Sequence, residues 1–247
     1  FLVIYVDESL QKIKNKFNQS VNRYWGDDFD VRYFLITQLK KIQQKSILDI
    51  GGGIGIISSE LDKSNYITNL DISLDDLKIC NNNYGKNLNN LNGSMIFLPF
   101  KNNAFDIIIC SHILEIAKQL DIKNNNIVKN AINEYPTVNR VFKEMQRVLK
   151  NNGKLYVTTP NNIFYKSSKL TYHELTNSIK KYFNQYSLYF YNTYPSFSNK
   201  YRKLNLKNII PKMKLKFINH STIISSLIKK DQNIERDSIS FYVEIRK

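Results

Sequence analysis

The chain is short of glycine, proline, cysteine and histidine. Its 247 residues include eight glycines, five prolines, two cysteines, three histidines and one tryptophan. Two cysteines, Cys80 and Cys110, cannot build a disulfide framework, and with so few histidines no cluster has metal-ligand spacing. No apolar run approaches the roughly 20 residues that a membrane span requires. The opening FLVIYV is too short for a secretory core and has no basic flank, so it does not read as a signal peptide. The chain opens at Phe1 rather than Met. Acids are also scarce: 21 against 36 bases, a net charge of +15. Such an excess attracts nucleic acid or anionic membrane. Here it runs from Lys12 to Lys247 without a dense block, as a lysine- and asparagine-rich composition produces by itself. The cell interior is the expected location.

What is present is a core: 42% hydrophobic and 13% aromatic residues, enough for one domain. Leu10, Ile13, Phe17, Val21 and Tyr24 fall at helical spacing behind a capping Asp7. A second helix follows Asp30, with Phe34, Leu35, Leu39 and Ile42 on one face. Apolar runs at Ser46–Ile50, Ile67–Leu70, Met95–Leu98, Phe105–Cys110 and Leu155–Thr159 then alternate with predicted helices at 54–63, 73–83 and 136–149. This alternation predicts an α/β fold, a doubly wound and mostly parallel sheet with helices on both faces. Residues 171–183 read as a helix, and 187–192 and 238–246 as strands. Between those strands lies a basic, partly apolar insertion, 193–236. We expect one domain: an N-terminal helical lid (1–45), a cofactor-binding core (46–161) and a substrate-side half (162–247).

Half of the glycines stand in SILDIGGGIGIIS, residues 46–58, where a strand runs into Gly51, Gly52, Gly53 and Gly55. Glycines at such a turn permit positive φ and close approach of a ligand to the backbone. The dinucleotide fingerprint Gly-x-Gly-x-x-Gly is absent, because Ile56 or Ser58 stands where its third glycine belongs. Asp49 sits two residues ahead of the glycines, where a carboxylate repels a diphosphate and attracts an ammonium group. Asp71 ends the next strand, twenty residues beyond Gly51, the place for an acid that takes ribose hydroxyls. An amine and a ribose in one ligand describe S-adenosyl-L-methionine.

The chain resembles the class I, seven-stranded, Rossmann-like S-adenosylmethionine-dependent methyltransferases, within their small-molecule group. The likeness is carried by ILDIGGGIG (47–55), NLD (69–71), LPFKNNAFDIIICSHILE (98–115) and EMQRVLKNNGKLYVTTPN (144–161). It implies an antiparallel last strand. It also implies that Asp49, Gly51, Gly52, Gly53 and Gly55 hold the methionine end, that Asp71 takes the ribose and that Ile72 packs on the adenine. Ser94 stands where the family usually places an acid toward the adenine amine, with Met95 beside it. Cys110, Ser111 and His112 face the sulfonium and the acceptor. Ile116 replaces a histidine that usually follows the Leu114-Glu115 pair.

His112 is the candidate general base, with a helix-capping role as its alternative. His173 and Glu115 read as structural, Cys110 equally as a core residue, and Trp25 and Arg32 as lid or surface residues. The acceptor is expected to be small and apolar or lipid-like. Residues 208–230 interleave lysines with apolar side chains, which suits a peripheral membrane contact or a substrate-covering lid. Two other readings stand beside this one: an RNA or protein methyltransferase, and a cofactor-binding partner subunit without activity.

Overall fold

A computed structural model describes residues 29–128, 133–160, 169–191 and 240–247. The expected first helix, Trp25, and the insertion 193–236 with its 208–230 stretch lie outside the described residues.

Helix α1 (Phe29–Leu39) leads into strand β1 (Ser46–Ile50), then β2 (Tyr66–Asp71), α2 (Leu74–Tyr84) and β3 (Asn89–Asn92). Strand β4 (Phe105–Ser111), α3 (Leu114–Lys123), α4 (Pro136–Val148), β5 (Leu149–Pro160), α5 (Tyr172–Lys180), β6 (Gln185–Tyr191) and β7 (Ser240–Arg246) follow. The seven strands form one sheet in the order β3-β2-β1-β4-β5-β7-β6. The strand pairings from β3 to β5 are parallel, and β7 runs antiparallel between β5 and β6. This is the expected doubly wound architecture.

Each sheet face has its own core. On one side Leu48, Ile50, Ile108 and Val157 pack under α4, whose Val138, Val141, Phe142, Met145 and Val148 are all fully buried. On the other, Ile47, Ile67, Ile107 and Ile109 meet Leu35 and Leu39 of α1. Alternate residues of one strand thus serve opposite faces, as period-two geometry requires.

Two expected elements differ. The predicted helix at 54–63 is a series of turns with a 3-10 helix at Ser58–Glu60. Gly55 has φ +78°, and the Ser58 hydroxyl is drawn onto the Asp49 carboxylate at 2.7 Å, so a regular helix cannot leave the loop. The expected strand at Met95–Leu98 is a tight turn, Phe97 N–H donating to the Ser94 carbonyl at 3.2 Å. The strand is instead Asn89–Asn92, a sequence with poor strand propensity. Side-chain bonds hold it: Asn69 Nδ2 donates to Asn90 Oδ1 at 2.9 Å, and Asn92 Nδ2 donates to the Asp71 and Ile72 carbonyls.

Candidate active site

The C-terminal ends of β1, β2, β4 and β5 converge where the sheet order reverses, the place where open α/β sheets bind ligands. The glycine loop leaves β1 there, with Gly51, Gly53 and Gly55 at φ +69°, +52° and +78°. A Cβ on Gly51 would stand 2.2 Å from Ile113 Cγ2, and one on Gly52 would stand 2.1 Å from Asn69 Oδ1. These glycines are needed for contact with the protein itself. Gly53 differs, since its missing Cβ would meet nothing closer than Asp71 Oδ2 at 3.8 Å. Bare backbone is therefore open to a ligand beside the Asp71 carboxylate.

The glycine N–H groups of the loop are turned inward. Gly51 and Gly52 both donate to the Leu70 carbonyl, at 2.7 and 3.4 Å, and Gly55 donates to the Gly52 carbonyl at 2.9 Å. Gly53 N–H donates to Asp71 Oδ2 at 2.9 Å, while Asp71 Oδ1 accepts from Ser73 N–H at 2.8 Å. A phosphate needs such donors aimed outward at a helix N-terminus; here the four glycine donors are consumed, and a 3-10 helix follows the loop.

Asp49 is buried, and burial raises its carboxyl to about 6. The Ser58 hydroxyl and the Arg32 guanidinium act against that shift, and the Asp71 charge adds to it. A buried carboxylate held so close to neutrality gains most from an incoming cation. Asn69, also buried, donates to the Gly53 carbonyl at 3.0 Å and leaves its Oδ1 without a hydrogen-bond partner beside Gly52. Two carboxylates, an open backbone and an apolar Ile72 that is 77% exposed fit an amino acid head, a ribose and an adenine. The donor set does not fit a diphosphate.

At the other wall, Cys110 is fully buried in the core, not at the opening, and burial pushes its thiol well up, with Glu115 and Asp49 adding to the effect. Ser111 and Thr158 share a hydroxyl–hydroxyl bond of 2.8 Å. His112 is nearly buried and adopts φ +58°. Ser94 shapes the turn at 94–97, its Oγ accepting from Ile96 N–H at 3.4 Å, and Met95 is partly buried beside the core. His173 is exposed at the start of α5 and packs edge-on against Tyr172.

Sequence reasoning missed Ser58 and Asn69, whose roles depend on contacts 9 and 16 residues away in the chain. It also missed Glu144 and Arg147. Glu144 accepts from Leu98 N–H at 2.8 Å, and Arg147 donates to the Leu98 and Phe100 carbonyls, fixing the loop that follows Ser94. The acid–arginine spacing within EMQR was the available signal. Among the described residues no cluster could hold a metal ion, and no helix is long and apolar enough to cross a membrane.

Residues 48–157 match the family described as a methyltransferase domain. An uncharacterized protein of Methanocaldococcus jannaschii is 32% identical over 126 residues, covering 50% of this chain and 45% of that protein. The match thus spans about half the length of that relative. Phosphoethanolamine N-methyltransferase 2 of Haemonchus contortus, solved in complex with S-adenosyl-L-methionine, shares the fold at a TM-score of 0.53 and 16% identity. The likeness covers 88% of this chain and 52% of that one. A methyltransferase of Thermotoga maritima, described as a possible histamine N-methyltransferase, gives 0.53 at 16% identity, over 96% and 98% of the two chains. Such identities show the fold alone. The chain has the seven-stranded, Rossmann-like fold of these methyltransferases, and its residues 48–157 match a methyltransferase domain.

Proposed function

We propose that this chain transfers a methyl group from S-adenosyl-L-methionine to a small, apolar or lipid-like molecule. The observation that carries the cofactor reading is the inward-turned glycine loop between Asp49 and Asp71, which suits an ammonium and a ribose and leaves no phosphate cradle. Asp49 would hold the amino acid head, Asp71 the ribose and Ile72 the adenine face, with Ser94 and Met95 at the adenine edge. When bound, the cofactor supplies a methyl carbon already activated by a sulfonium.

The protein's task is then to align an acceptor and exclude water, which can supply on the order of 7–11 kcal/mol. His112, one residue beyond β4, would be the side chain that takes a proton. Gly51 packs against Ile113, which brings this end of β4 onto the glycine loop. An apolar acceptor is supported by Ile116, 48% exposed one turn beyond His112, and by the composition of 208–230. That stretch also supports peripheral contact with an anionic membrane.

The test is to incubate the protein with methyl-labelled cofactor and cell extract, then partition the label. Label in the organic phase is the expected result. Label concentrated in RNA or protein would replace the acceptor. A second reading, a cofactor-binding partner subunit, draws on Ser94, whose hydroxyl brings no charge to the adenine side. Cofactor binding without any label transfer would establish it.

A further inference from the structure

The ends of β4 and β5 hold an assembly for which a cofactor site alone has no use. His112 takes a left-handed φ of +58°, a conformation that costs a non-glycine residue about 1–2 kcal/mol. Its N–H donates to the Thr158 carbonyl at 2.9 Å, which pins the strained residue to β5. The turn delivers the imidazole to Glu115 on α3, with Nδ1 3.6 Å from Glu115 Oε1. The two side chains are 4% and 13% exposed. Glu115 Oε2 in turn accepts from the Thr159 hydroxyl at 3.4 Å. These contacts are looser than ideal hydrogen bonds, as expected of a base and its orienting group before an acceptor is bound.

Resting on the methyltransferase reading, we propose that Glu115, steadied by Thr159, is a positioning residue that orients His112 as a base, and that the acceptor is a hydroxyl. A carboxylate facing Nδ1 fixes the proton on that nitrogen and makes Nε2 the basic one. A neutral amine attacks without prior loss of a proton, whereas an alcohol or phenol has to lose its proton as it attacks. The acceptor oxygen forms a bond to the methyl carbon while the carbon–sulfur bond breaks, its electron pair staying on sulfur. The hydroxyl proton passes to His112 Nε2. The imidazolium is stabilised by the Glu115 carboxylate and then releases the proton to water. Among the described residues, the Cys110 thiol on β4 lies within electrostatic reach of Glu115, and Asp49 on β1 within reach of Cys110, while β5 brings Thr158 and Thr159 to this end of the sheet.

Three histidines in the chain make the imidazole titration readable by nitrogen-15 NMR of the cofactor-free protein, with His112→Asn assigning the resonance. The His112 ring should titrate about one unit higher in the wild type than in Glu115→Gln, a tenfold change in proton affinity. Thr159→Val should move it in the same direction by less, and thermal unfolding checks that both variants fold. An unchanged titration in Glu115→Gln overturns the proposal. In a second arm, cofactor carrying a carbon-13 methyl is turned over with extract, and the methyl shift identifies the atom it reached. Methyl on oxygen, formed at a rate that rises with pH through the imidazole titration, supports the proposal. Methyl on nitrogen or carbon refutes it and leaves the methyltransferase reading intact. Wild-type protein that binds no cofactor by calorimetry refutes both.

Discussion

At the scale of the residue, Asp49 sets a pH dependence whose sign follows from its burial. Its carboxyl is raised to about 6 in the folded chain, above the ordinary value it regains on unfolding. It therefore contributes stability below about pH 4, and that contribution is lost as pH rises through 6. A cation in the site favours the ionised form, so cofactor affinity should weaken as pH falls from 7 to 5. Asp49→Asn should bind feebly and lose this dependence, and Asp71→Ala should abolish detectable binding in calorimetry. The two central glycines separate fold from ligand. Gly52→Ala drives a Cβ to 2.1 Å from Asn69 Oδ1 and 2.8 Å from Asp49 Cγ. It should cost about 1–3 kcal/mol in urea unfolding, the usual penalty for overpacking. Gly53→Ala meets only an ordinary contact with Asp71 Oδ2 at 3.8 Å and the backbone strain of its φ, so cofactor affinity should drop far more than stability.

At the scale of the element, α3, α4 and α5 are joined by a buried polar cluster. Lys118 Nζ contacts Glu174 Oε2 and the Lys169 carbonyl, both at 2.7 Å, and lies 4.5 Å from the centre of the Tyr135 ring. Tyr135 donates its hydroxyl to Glu174 Oε1, and Glu174 closes the capping box with Thr171. Lys118→Met would leave Glu174 buried without its cation and should cost about 3–5 kcal/mol. The double variant Lys118→Met with Glu174→Gln should recover much of that loss, as unfolding midpoints would show. Elements with a strong internal period were legible in sequence. The α4 stripe is visible in Val141, Phe142, Met145 and Val148, and β4 in the apolar run from Ile107 to Cys110. Asn89–Asn92 was not legible, because its pairing rests on Asn69 and Asp71 of a neighbouring strand, not on its own propensity.

At the scale of the whole molecule, β7 is the keystone of the sheet's far half. It lies between β5 and β6, and Phe241, Tyr242, Val243 and Ile245 are buried on alternating faces. Asn152 N–H and the Lys247 carbonyl bond the strand's end to the start of β5, and Lys247 Nζ reaches the Gln146 and Leu149 carbonyls at 2.7 Å. Removing residues 240–247 would open edges on β5 and β6 and uncover both cores. Loss of a cooperative thermal transition is the expected outcome, measured by circular dichroism.

The sequence by itself determined the alternating strand and helix order, the glycine turn, and the acids at 49 and 71. Periodicity, turn chemistry and charge are properties of neighbouring residues, so they can be read along the chain. Only the tertiary structure decided that the glycine N–H groups of the loop face inward and that Ser58 and Asn69 brace the loop. It alone placed Glu115 and Thr159 around a strained His112. These are contacts between strand ends, made when the sheet assembles, and no local pattern encodes them. The opening glycines gave the class of ligand, and the packing of β4 against β5 gave the class of acceptor that we propose.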